Sequence, residues 1–158
     1  MNALRSRALR LLARRDYSRA ELARKLAAHG SAEEIEIVIA EFAASQLQSD
    51  QRCVESYLRT HGGRLGVSRL RQSLARRGLD SALIEAQLSA QTAGGELADE
   101  PARARSVWAR KFAAPPADAR EWARQARFLQ GRGFAAEIIR HLMKSLPASV
   151  DPGEDDSR

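Results

Sequence analysis

Apolar residues recur along most of the chain with a period near three and a half, the spacing of one buried face of a helix. Leu4, Ala8, Leu11 and Leu12 form one such face, Leu22 and Leu26 a second, and Ile35, Val38, Ile39 and Phe42 a third. The pattern continues with Val54, Tyr57 and Leu58, then Val67, Leu70 and Leu74, then Leu83, Ile84 and Leu88. It closes with Ala104, Val107, Trp108 and Phe112, then Trp122, Ala126 and Leu129, then Ile138, Ile139 and Leu142. No stretch alternates with period two, so the pattern predicts nine helices and no sheet.

Start and stop signals divide these helices into repeats. Ser18 with Glu21, and Ser31 with Glu34, have capping-box spacing and mark the second and third helix starts. Asp50 and Asp80 are expected N-caps, and Pro101 suits a first helical turn. Three segments share a Leu followed four residues later by Gly and then, five residues on, by an apolar side chain: Leu26, Gly30 and Ile35; Leu74, Gly78 and Leu83; Leu129, Gly133 and Ile138. Each glycine is expected to end a helix at positive φ, and the recurrence implies an array of similar units. The expectation is an all-α chain of three tandem three-helix, helix-turn-helix-like repeats in an elongated, curved array. Their boundaries are 1–48, 49–92 and 93–146, followed by an acidic tail, 147–158, of disordered composition. The run QTAGGELAD, within roughly 90–99, is the expected flexible joint.

Charge adds a surface to this scaffold. The chain of 158 residues carries 26 Lys and Arg against 20 Asp and Glu, and four of those acids, Asp151, Glu154, Asp155 and Asp156, fall in the tail. Only Lys25, Lys111 and Lys144 are lysines. Arginine forks pair with phosphate or carboxylate in a planar way that lysine does not, although an Arg-rich genome gives the same bias. Arg7, Arg10 and Arg14 share a helix face, as do Arg120, Arg124 and Arg127, and the acid-free interval between Glu55 and Asp80 holds Arg69, Arg71, Arg76 and Arg77. A single arginine is most simply a solvated residue. Three basic stripes on a helical array suggest a surface for nucleic acid or an acidic protein filament.

Catalytic patterns are missing. His29, His61 and His141 lack metal-ligand spacing, the lone Cys53 lies on an apolar helix face, and GGRLG at 62–66 has no following Lys-Ser or Lys-Thr. Neither an enzyme nor a metal or cofactor is expected. Trp108 and Trp122 could stack on bases, but their apolar spacing favours the core. Helix pairs joined by a glycine turn also suit DNA readers, a pattern any small helical bundle can show. No apolar run approaches the length of a membrane span, so a cytoplasmic, monomeric protein is expected.

Taken in order, RRDYSRAEL at 14–22, LQSDQR at 47–52, LARRGLD at 74–80 and ARFLQGRGF at 126–134 resemble the RecX family from about Leu4 to Met143. The matching positions are Arg14, Arg15, Asp16, Tyr17, Ser18, Glu21 and Leu22, then Asp50 and Arg52, then Arg76, Arg77 and Gly78. The last motif supplies Arg127, Phe128, Leu129, Arg132, Gly133 and Phe134. Cys53 departs from the pattern, standing where the family usually has an aromatic residue. The resemblance implies a regulator that binds RecA and RecA filaments on DNA, blocks their extension or promotes their loss, and so lowers recombinase, ATPase and co-protease activity. It leaves room for weak direct DNA binding, and a stand-alone phosphate-tracking DNA module is the alternative. Ser18, Glu21, Leu22, Gly30, Asp50, Gly78, Phe128, Gly133 and Phe134 read as structural. Arg7, Arg10, Arg14, Arg15, Arg52, Arg69, Arg71, Arg76, Arg77, Arg120, Arg124, Arg127 and Arg132 remain as contact candidates.

Overall fold

The computed structural model describes residues 2–147, so the expectation for the acidic tail lies outside the described residues apart from Pro147. Among them are nine α-helices and no strand: α1 (Asn2–Leu12), α2 (Arg19–Leu26), α3 (Ala32–Ala44), α4 (Asp50–His61), α5 (Val67–Arg76), α6 (Ser81–Gly94), α7 (Glu100–Lys111), α8 (Ala119–Gly131) and α9 (Ala136–Ser145). A 3-10 turn, Gly62–Arg64, follows α4.

The helices begin where side chains replace missing backbone partners. Ser18 and Ser31 each close a full capping box, with Glu21 and Glu34. Asp99 and Asp118 cap α7 and α8 by accepting the Ala102 and Glu121 amides, and Pro101 lies in the first turn of α7. Two expected caps work differently. Ser49 is the N-cap of α4, and Asp50 instead accepts the Arg19 amide at 2.8 Å and the Gln48 side-chain amide at 2.9 Å. Asp80 occupies the N-cap position of α6 without a side-chain hydrogen bond.

The chain packs as two compact units. One contains the chain up to Gly63 with Leu70–Leu97, and the other contains Arg64–Arg69 with the chain from Ala98 on. In the first, Leu4, Ala8, Leu22, Leu26, Val38, Ile39 and Phe42 bury the apolar faces of α1 to α3. Val54, Leu58, Leu70, Leu74 and Ile84 are buried in the same unit. In the second, Ala104, Val107, Trp108, Phe112, Leu129, Phe134 and Ile139 form the core. Trp122 departs from expectation: it is 39% exposed, whereas Trp108 is 9% exposed. The expected joint is also shorter, because α6 runs through Gly94 and only the turn that follows precedes Asp99.

Gly78 and Gly133 adopt positive φ, 76° and 90°, as expected of helix-ending glycines. Gly30 does not share that conformation. An added Cβ there would stand 3.1 Å from Leu4 Cδ2, so Gly30 gives room to the α1 side chain. In the first repeat the left-handed residue is Gln46, at φ 64°, just after α3. A non-glycine residue in that region is strained by about 1–2 kcal/mol, partly offset because glycine loses more freedom on folding. Gln46→Gly is therefore expected to stabilise the protein by roughly 0.5–1 kcal/mol, read as a higher urea midpoint. An unchanged midpoint would show that this turn holds no strain.

Candidate functional site

The candidate arginines separate into those engaged in the fold and those that face solvent unpaired. Arg52 donates to Asp16 Oδ1 at 2.9 Å and to the carbonyl oxygens of Gln46 and Leu47 at 3.1 and 3.2 Å, which ties the α3–α4 turn to the start of the α2 segment. Arg15 pairs with Glu21 at 2.8 Å and lies 3.9 Å above the Tyr17 ring. Arg77 stacks 4.7 Å over Tyr57, whose ring also meets His61 at 4.6 Å. The Arg77 carbonyl accepts the Ser18 hydroxyl at 2.5 Å.

The first unit thus draws the opening motif, 14–22, onto Asp50 and Arg52 and onto Arg77. Gly78 completes that contact, since a Cβ there would stand 2.4 Å from Ala20 Cβ. Arg15, Asp16, Cys53, Tyr57, His61 and Arg77 line a cavity of about 220 Å³ in this unit. Burial first, and then Asp16, Asp50 and Glu21, push the Cys53 thiol up to about 12. It therefore stays protonated and packs as a small apolar side chain. No group of His, Cys, Asp and Glu able to hold a metal ion occurs among the described residues.

Two further candidates are neutralised locally. Arg71 donates to Glu85 at 3.0 Å and lowers that carboxyl below its ordinary range. Arg124 makes a two-pronged contact to Glu121 at 2.6 and 2.9 Å and also lies over Phe112. Hydrogen bonds from Arg124 and then Gln125 hold the Glu121 carboxyl down at about 2.

Arg7, Arg10 and Arg14 are exposed on and just after α1, and Arg69 and Arg76 on α5. Arg120 and Arg127 are exposed on α8, on the side opposite the buried Leu129. None of these guanidinium groups has an ion-pair partner among the described residues. Such groups retain their capacity for external phosphate or carboxylate.

The second unit adds a feature that the stripes did not predict. Arg64, Arg110, Lys111 and Arg132 line an open pocket of about 240 Å³ with Val107 and Phe128 as its apolar part. Arg132 and Lys111 stand 5.3 and 5.6 Å from the Phe128 ring centre, and Phe112 meets that ring edge-on at 5.4 Å. Among the described residues no acid lines the pocket. Of its four cations only Arg132 belonged to the expected contact set. Arg110 and Lys111 are adjacent, so they escape a search for residues repeating every third or fourth position, but a cationic pair at a helix end beside an aromatic residue was the available signal. Arg103 was also missed, for another reason. It is 3% exposed and donates to the carbonyls of Leu65 and Ala98 at 3.2 and 2.8 Å, a structural role within this unit.

Comparison with known families divides the sequence into three consecutive segments. The models described as the first, second and third three-helix domains of RecX match residues 5–42, 49–88 and 98–143. A regulatory protein RecX of Leptothrix cholodnii is 43% identical over 143 residues, covering 90% of this chain and 88% of the relative. Its counterpart in Chromobacterium violaceum is 43% identical over 142 residues, covering 89% of each. That of Ralstonia nicotianae is 39% identical over 155 residues, covering 97% of this chain and 94% of the relative. The crystal structure of RecX from Lactobacillus salivarius shares the fold, with a TM-score of 0.75 at 20% identity over 90% of this chain and 94% of that one.

Proposed function

Since the chain belongs to the RecX family of regulatory proteins, we propose that it binds RecA and RecA–DNA filaments. It would thereby lower recombinase, ATPase and co-protease activity, by blocking filament extension or promoting disassembly. In this reading the protein acts as a monomer in the cytoplasm, without catalysis or cofactor of its own. The observation that carries the proposal is the set of exposed arginines without acidic partners: Arg7, Arg10 and Arg14, Arg69 and Arg76, and Arg120 and Arg127. A polyanionic nucleoprotein surface complements such groups, and charge pairs across an interface set its specificity and rate of assembly.

The test is ATP hydrolysis by RecA on single-stranded DNA with substoichiometric amounts of this protein. Suppressed hydrolysis is expected, and an unchanged rate would overturn the proposal. Arg7→Glu/Arg10→Glu/Arg14→Glu should weaken the suppression by roughly tenfold or more, because each reversal replaces an attraction by a repulsion, while the helical circular dichroism stays unchanged. Equal loss of helicity would mean that these residues hold α1 in place.

The same guanidinium groups also support a second reading, a DNA-binding module that tracks phosphates without a protein partner. Its affinity would fall steeply with salt, in proportion to the phosphates contacted. Tight, salt-sensitive binding of labelled DNA combined with no effect on RecA would favour it.

A further inference from the structure

The pocket between α7 and α8 in the second unit combines four cations with Val107 and Phe128, and no acid among the described residues lines it. The Arg110 side chain makes no hydrogen bond or ion pair among the described residues, and the Lys111 and Arg132 side chains pack over the Phe128 ring without an ion-pair partner there. Cations stacked on an aromatic face keep their outward donors available. A fitting occupant would bring several negative charges, together with a little apolar surface for Val107 and Phe128.

The chain carries such a segment in its sequence shortly after α9. Ser145, the last residue of α9, accepts a hydrogen bond from Arg105 of α7 at 2.6 Å, and Leu146 is buried in the core of this unit. The chain therefore leaves the fold beside α7. Arg110 and Lys111 lie five and six residues beyond Arg105, roughly 8–9 Å along the helix axis. Asp151 follows Pro147 by four residues and Asp156 by nine, spans of up to about 13 and 30 Å when extended. Arg110 and Lys111 also lie about 120–140° around α7 from Arg105, so the segment has to pass around the helix, a path within the extended reach of its later acids, Glu154 to Asp156, rather than of Asp151. Asp151, Glu154, Asp155 and Asp156 bring four acids in six residues, with Val150 and Pro152 among them.

We propose that the acidic segment 151–156 docks in the cationic pocket formed by Arg110, Lys111, Arg132 and Phe128, and so competes with external polyanions for this part of the surface. A tethered segment has an effective concentration near the millimolar range, so weak individual contacts suffice. Docking itself is independent of the RecA reading and is tested without RecA.

The test compares amide spectra of the full chain with those of the variant Asp151→Asn/Glu154→Gln/Asp155→Asn/Asp156→Asn. Shift changes are expected at Arg110, Lys111, Phe128 and Arg132. In an Arg110→Glu/Lys111→Glu background the same neutralisation should leave Phe128 and Arg132 unmoved. Changes confined to residues 146–158 would overturn the proposal. A labelled single-stranded oligonucleotide at low salt gives a second readout. Neutralising the segment should tighten its binding roughly three- to tenfold, and Arg110→Ala/Lys111→Ala should abolish that gain. An equal gain in both backgrounds would reduce the segment to a general charge effect and overturn docking, as would an oligonucleotide that binds the pocket equally well with and without the acids.

Discussion

Replacing Gly66 by alanine should destabilise the second unit by more than about 4 kcal/mol, beyond the ordinary range for a point substitution. A Cβ at Gly66 would stand 2.3 Å from the carbonyl carbon and oxygen of Gly133 and 2.5 Å from the Phe134 amide nitrogen. These are backbone atoms, so no side-chain rotation relieves the overlap. The Gly66 amide also donates to the Arg132 carbonyl at 2.8 Å, a bond lost if the strands of chain separate. From the other side Gly133, at φ 90°, leaves no room for a Cβ, which would fall 2.6 Å from the Arg69 amide nitrogen. Gly63 supplies the control, having nothing within 4 Å of an added Cβ, and Gly63→Ala should change stability by less than about 0.5 kcal/mol. Urea denaturation of the two variants, followed by Trp fluorescence, checks the contrast. A Gly66→Ala protein within about 1 kcal/mol of the parent would mean that this close approach relaxes without cost.

The same glycine marks how far the sequence can be read. Helix number, the two capping boxes and the positive φ of Gly78 and Gly133 follow from local signals, because periodicity and cap chemistry act within one or two turns. Nothing local singles out Gly66 within GGRLG, because its constraint comes from backbone 67 positions further along the chain. Treating the three Leu-to-Gly segments as equivalent predicted the wrong conformation for Gly30, where the glycine accommodates Leu4.

The arginine set shows the corresponding limit for the candidate site. The motif resemblance places Arg52 beside Arg14 as contact candidates, yet the structure engages Arg52 with Asp16 and two carbonyls and leaves Arg14 exposed. Such a difference depends on which acid or carbonyl the fold brings near. The pocket around Phe128 is assembled from α7, α8 and the segments after α4 and α8, so no single window of sequence contains it.

Trp108→Ala is expected to cost about 3–5 kcal/mol, the usual consequence of emptying a large aromatic site in a core. The ring is buried among Ala104, Phe112, Leu129 and their neighbours, and its Nε1–H donates to Gln125 Oε1 at 2.7 Å. Gln125 is 1% exposed, and its Nε2 donates to the Ala114 carbonyl and to Glu121, both at 3.2 Å. Removing the indole creates a cavity and also leaves a buried amide oxygen without its donor, so the two penalties add. Trp108→Phe separates them: most of the ring volume returns, and the remaining loss should be nearer 1–3 kcal/mol, the cost of an unmet buried acceptor. Trp122→Ala, at a 39% exposed site, should cost far less than either. Thermal denaturation of the three variants orders them. A Trp122→Ala loss equal to that of Trp108→Ala would contradict the burial difference. The contact also bears on the surface, because Gln125 and Glu121 sit on the helix that displays Arg120, Arg124 and Arg127. Trp108→Phe should therefore weaken polyanion binding less than it weakens the fold, since those arginines stand on the opposite side of α8 from Leu129 and keep their exposure while the helix remains formed.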